Sequence, residues 1–168
     1  MDAEYFRMLF AWHWWAWEKV LSQIEELSAE QYAAAAPLLN EGSLRATLLH
    51  AWDVEETWLC RSQGIEPGDE PSVEDVPTLA DLRDRWRATE SGWSSFLTDL
   101  SDVDLATEMR YGDSQRQYVN PLWALMTHCV THGMQHRSEV AMVITELGHS
   151  PGNLDFIIHV TRLRAGRE

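Results

Sequence analysis

Four stretches in which apolar residues return every three or four positions constrain this chain more than anything else in it, because that period matches one face of an α-helix. The first carries Phe6, Phe10, His13, Trp17, Val20, Leu21, Ile24 and Leu27 and predicts a helix from near Asp2 to about Leu27. Ser28 and Gln31 have capping-box spacing, so a short helical turn through Tyr32 should follow before Pro37 breaks it. The second stretch enters through Gly42 and Ser43. Its face reads Leu44, Thr47, Leu48, Ala51, Val54, Glu55, Trp58 and Leu59, a stripe interrupted by a carboxylate near its end. Thr78 with Asp81 starts the third, which turns Leu79, Leu82, Trp86, Thr89, Trp93, Phe96, Leu97 and Leu100 inward and ends at Ser101 and Asp102. The fourth should run from Pro121 to about Leu147. There Asn120 can cap a free N–H, proline suits the first helical position, and Gly148 with Pro151 supplies the stop.

The remaining segments are shorter. Gly64 to Pro77 sustains no helical period and reads as the main loop, while Asp104 to Val119 suggests a small hairpin around Gly112 and Asp113. Asn153 to Leu163 is expected to add one short helix. At 168 residues the whole is expected to form one all-α domain, residues 1–168, built as a helical bundle.

Charge narrows the partners. A net charge of -14, from 27 acidic against 13 basic residues, opposes a phosphate backbone or an anionic membrane surface, so neither nucleic acid nor membrane is an expected partner. No stretch reaches the roughly 18 apolar residues of a membrane span. The start, Met1-Asp2-Ala3-Glu4, lacks the pattern of a secretory signal. Cys60 and Cys129 read as two separate thiols, and the expected setting is the reducing cytoplasm.

His132 and His136 stand four apart in the fourth helix, which stacks them on one face with Cβ atoms about 5–6 Å apart. His50, on the second helix, can face them across the bundle. Three neutral imidazoles meet the ligand count of a catalytic zinc site with an open position, and nickel, iron or manganese also suit such donors. Spacing alone favours a plainer alternative, in which core-boundary histidines satisfy their nitrogens with backbone or water. His128 lies on the same stripe, but about 12 Å along the axis from His136, and reads as a pocket residue. His149 and His159 read as surface or packing residues. Asp53, three residues after His50, could orient an imidazole or act as a base, or be a solvated carboxylate, and Glu56 and Glu139 share that ambiguity. Trp12, Trp14, Trp15 and Trp17 cannot share one helix face. Trp17 with His13 is expected near the pocket, leaving Trp12 or Trp15 for a subunit interface or for ordinary packing.

Several of these stretches together resemble the DinB/YfiT-like superfamily of metal-dependent enzymes. The similarity is carried by Trp15-Ala16, by Gly42-Ser43-Leu44 through Leu48-Leu49-His50 with Trp58-Leu59, by Leu125 through Arg137, and by the closing Gly148, Pro151 and Asp155-Phe156. The resemblance implies an up-down-down-up four-helix bundle, often a homodimer, in which His50, His132 and His136 bind a divalent metal. It also implies transferase or isomerase chemistry on a small-molecule substrate with a low-molecular-weight thiol. A metal-dependent hydrolase, or a non-catalytic metal-binding or stress-associated module, is the alternative. The chain departs from the common pattern at Gln135, where histidine is frequent, and at Ser138 and Glu139, where glycine and glutamine are frequent.

Overall fold

The computed structural model describes residues 2–166. Four long helices dominate it: α1 (Ala3–Ile24), α3 (Leu44–Ser62), α4 (Leu79–Asp99) and α5 (Leu122–Glu146), with the short α2 (Ala29–Ala33) and α6 (Phe156–Arg164). Each of the first four helices begins on a side-chain oxygen that takes up a free N–H. Asp2 accepts from Glu4 (2.8 Å), Ser43 accepts from Ala46 (3.1 Å), and Ser28/Gln31 and Thr78/Asp81 form reciprocal capping boxes. At the end of α5, Gly148 takes φ +91°, its N–H donates to the Thr145 carbonyl, and His149 N–H reaches the Ile144 carbonyl. That pair of bonds is the left-handed stop that a glycine allows.

The expected hairpin is present, with β1 (Glu108–Gly112) pairing antiparallel to β2 (Gln117–Pro121). Asp113 closes its turn by accepting the N–H groups of Gln115 and Arg116. The hairpin changes the start of α5. Asn120 was expected to cap that helix, but it is the penultimate residue of β2, and its side-chain amide donates to the Tyr111 hydroxyl (2.8 Å). Pro121 takes the capping position without a side-chain bond, and Leu122 N–H donates instead to the Thr107 carbonyl (2.8 Å). Tertiary contact thus satisfies a donor for which local sequence offered a cap.

α3 and α5 pack on each other, α1 lies against α4, α5 and α6, and α4 packs on α3. The buried apolar residues form two clusters. One gathers Phe6, Phe10, Trp93, Leu97, Leu125 and Met126, and the other Trp17, Val20, Leu48, Leu82, Trp86 and Ile144. Near the handover between them, each long helix contributes a buried polar residue: His13, Glu55, Thr89 and Arg137. No helix of the described residues is long and apolar enough to cross a membrane.

For Trp12 the structure shows the ordinary packing that the sequence left open: its indole N–H donates to the Leu154 carbonyl (2.8 Å), and Phe156 meets its ring edge-on. Trp15 is only half buried, and it packs against the buried His159 of α6. The helix that follows the Gly148 stop therefore covers the surplus indole surface of α1.

Gly133 of α5 faces α1 at a position where a Cβ would overlap the His13 ring. Gly133→Ala should therefore destabilise the fold by about 1–3 kcal/mol through overpacking, read as a lower urea midpoint with an unchanged slope.

Candidate metal centre

His132 and His136 project from α5 toward His50 on α3, and one ring nitrogen of each lies within 4.8 Å of the other two. The Nε2 atoms of His132 and His136 are 3.2 Å apart. Two nitrogens bound tetrahedrally to one zinc at its usual bond length stand about 3.3 Å apart, so this pair already has the spacing of ligands sharing an ion. The His50 ring faces both partners, with centroids at 5.1 and 5.0 Å. Among the described residues no fourth histidine, cysteine or carboxylate joins the group. The residues present therefore fit a divalent cation that keeps open positions.

The carboxylate that orients this cluster is Glu139. Its Oε2 lies 2.9 Å from His136 Nδ1. An ionised carboxylate can only accept, so Nδ1 carries the proton and the Nε2 lone pair points at His132. Sequence reading left Glu139 ambiguous, although its place three residues after His136, on the same helix face, was the available signal. It is also a position where the chain departs from the common family pattern. Burial, reinforced by the neighbouring His136, His50 and His128, drives His132 down to about 3, so its imidazole is neutral over the physiological range and available as a donor to a metal.

The other expected site residues are placed differently. Asp53 is half buried one turn beyond His50, its carboxyl pushed up by burial and by Glu70, and among the described residues it makes no hydrogen bond to a histidine ring. Glu56 is turned toward Thr89, whose hydroxyl donates to it at 2.6 Å. His128 borders the cluster, 5.7 Å from His132 between ring centroids, and lines a cavity of about 270 Å³ with Trp58, Tyr111, Asn120, Ala124 and Leu125. Its pKa is lowered by burial and by Arg61. Trp17 lines a different cavity, of about 390 Å³, walled by Trp14, Trp86, Glu18 and Glu90 and containing none of the three histidines.

His13 is sealed in the core and belongs to a network that sequence reading did not foresee. Glu55, 3% exposed, receives the N–H groups of Trp14 (3.0 Å) and Trp86 (3.0 Å), and His13 Nε2 lies 3.0 Å from it. Arg137, 2% exposed, approaches His13 Nδ1 at 3.4 Å and donates to the His13 carbonyl at 3.3 Å. Arginine has no acceptor, so Nδ1 must accept and Nε2–H must donate to Glu55. Burial lowers the His13 pKa and keeps the ring neutral, which agrees with that tautomer. Burial also opposes the charge on Glu55, but His13 and the two indole donors outweigh it and hold the carboxyl below its ordinary value. Arg137, lowered to about 10 by burial, remains charged, with the Trp12 and Trp17 rings 4.7 and 5.6 Å from its guanidinium carbon. A neutral imidazole thus links a buried anion on α3 to a buried cation that directly follows His136 of the histidine cluster.

Helices α3 and α5 hold between them a three-histidine group that could hold a metal ion, in a mostly helical protein. The DinB family model matches residues 1–162, and the chain belongs to the DinB family, in which metal dependence is general. No curated protein matches the chain.

Two outcomes follow from these electrostatics. Glu55→Gln puts an amide NH₂ opposite an N–H donor and leaves Arg137 without its counter-charge, and should cost about 3–5 kcal/mol in urea unfolding. The second concerns pH. His132 binds a proton near pH 6.5 when unfolded but only near pH 3 when folded, so its contribution is fully present above pH 6.5 and is lost as pH falls toward 3. The metal-free protein should lose stability across that window, and His132→Gln should show a shallower decline in urea midpoint with pH.

Proposed function

We propose that this protein is a divalent-metal-dependent enzyme acting on a small molecule, with His50, His132 and His136 as the ligands and thiol-dependent transfer or isomerisation as its chemistry. The observation that carries the metal assignment is the convergence of three imidazoles without a fourth protein donor among the described residues. A closed structural site normally supplies four donors, whereas a catalytic one keeps a position for substrate. Zinc or nickel suits the all-nitrogen set best, with iron or manganese also compatible. A cation held there supplies Lewis acidity toward a thiol or a carbonyl.

The protein's own residues divide the remaining work. Glu139 fixes the His136 tautomer and ring plane through the Nδ1 bond. Asp53, half buried and close enough to His50 to feel its field, is the proposed proton acceptor, since its raised pKa brings a carboxylate nearer the range useful for general base catalysis. His128 lines the approach beside His132. The assignment of a thiol rests on family membership, and the up-down-down-up bundle, the homodimer and the cytoplasmic setting belong to the same proposal.

Metal analysis of tag-free protein tests the ligands. Wild type should hold one divalent ion per chain, and His50→Ala, His132→Ala and His136→Ala should each lose most of it. Glu139→Gln should weaken binding by about 10–100-fold while leaving the ligands in place. Full occupancy in all three alanine variants would overturn the assignment. Thiol-transfer and hydrolysis screens of the loaded protein then separate the proposed chemistry from a hydrolase, and inactivity in both would favour a non-catalytic metal module.

A further inference from the structure

The cavity of about 390 Å³ between α1 and α4 contains none of the three histidines, and the polar groups of its lining are incompletely paired. Trp14 and Trp86 form two of its walls. One carboxylate holds both, since their indole N–H groups donate to the two oxygens of Glu55. Trp17, on the same lining, lies against Trp86 with ring centroids at 4.8 Å. It is 2% exposed, and its own N–H meets no acceptor among the described residues; Arg83 Nη1, another buried donor of this lining, also lacks one. Walls fixed in this way are in place before any ligand arrives, and the volume falls in the range of small-molecule pockets.

The charges of the lining leave one carboxylate over. Arg83 donates to both oxygens of Glu18 (2.7 and 2.9 Å) with its Nε 3.2 Å from Glu25, and Arg87 is turned to Asp84 (2.9 Å). Glu90 has neither an ion pair nor a hydrogen bond among the described residues. That state is uncommon even in so acidic a chain. Of the described acidic residues only Asp53, Glu55, Glu56, Glu90 and Glu139 are not exposed, and Glu55, Glu56 and Glu139 each meet a hydrogen-bonding partner. Asp53 and Glu90 do not, and Glu90 shares its cavity with indole rings. Burial pushes the Glu90 carboxyl up, as do Glu55 and Glu18, against a smaller opposing pull from Arg87. A cation that replaces the lost water stabilises an anion so placed. Indole faces attract cations too. Lys19 stands over Trp15 and Arg137 over Trp17, whereas no cation of the described residues stands over Trp14 or Trp86.

We propose that this cavity is a second ligand site, separate from the histidine cluster, for a small organic cation that carries an oxygen acceptor. Its ammonium group is held by Glu90 and the Trp14 and Trp86 rings, and its oxygen takes up the Trp17 or Arg83 donor. A net cation suits the recess better than a zwitterion, because Glu18, Glu25, Asp84 and Glu90 together outnumber Arg83 and Arg87. Choline and neohexyl alcohol, in which carbon replaces the quaternary nitrogen, are the probes, titrated calorimetrically into the full chain with and without zinc. Choline should bind at least about tenfold more tightly than the neutral isostere, in the same way with and without the metal. Glu90 makes no bond within the chain, so Glu90→Gln should keep the fold and remove that preference, and Glu90→Asp should retain part of it. Glycine betaine, whose carboxylate cancels its charge, should bind more weakly than choline. Equal binding of choline and the isostere, no choline binding at millimolar concentration, betaine binding as tightly as choline, choline affinity unaffected by Glu90→Gln, or choline binding that requires zinc would each overturn the assignment.

Discussion

The buried chain from Glu55 through His13 to Arg137 is the constraint on which the rest of this structure depends. It ties α1, α3 and α5 together at the level where two apolar clusters meet. A charged carboxylate and a guanidinium can remain there only because nearly every polar atom facing them is a donor or acceptor of the right sense. Trp14 and Trp86 supply N–H groups to the anion, the His13 ring relays between the charges, and indole faces flank the cation. Such a network tolerates little rotation of one helix against another. Since Arg137 follows His136 and Gly133 follows His132, the contacts that seat α5 on α1 also set the direction in which the two imidazoles of the cluster leave the helix.

Tryptophan serves three physical roles here. Trp14, Trp86 and Trp93 spend their N–H groups on Glu55, the last through its carbonyl. Trp12 joins α1 to the C-terminal segment and shields Arg137. Trp58 forms a wall of the cavity lined by His128. In each role the ring provides apolar area while its polar edge or π-face takes a specific partner, which aliphatic packing could not do.

Much of the architecture was legible because its causes are local. Caps at Ser28, Ser43 and Thr78 and the stop at Gly148 act within a few residues, and the three- and four-residue recurrence of apolar side chains gave the buried faces of α1, α3 and α4 closely. The His50, His132 and His136 set was legible for a related reason: two members share one helix face, and the third sits on a helix with a matching apolar stripe. What escaped sequence reading was long-range. Asn120 looked like a cap because nothing local reveals that Thr107 will offer a carbonyl to Leu122. Glu55 looked like an interruption because its donors come from α1 and α4, and Glu139 gained its role only once the His136 rotamer was known.

The sequence by itself determined where the helices form, where they stop, and which three histidines could meet, since periodicity, capping and spacing are properties of neighbouring residues. Tertiary structure alone decided which charges could be buried and which carboxylate meets the histidine cluster. Those outcomes depend on desolvation and on donors supplied by distant segments, and both come into existence only when the helices pack.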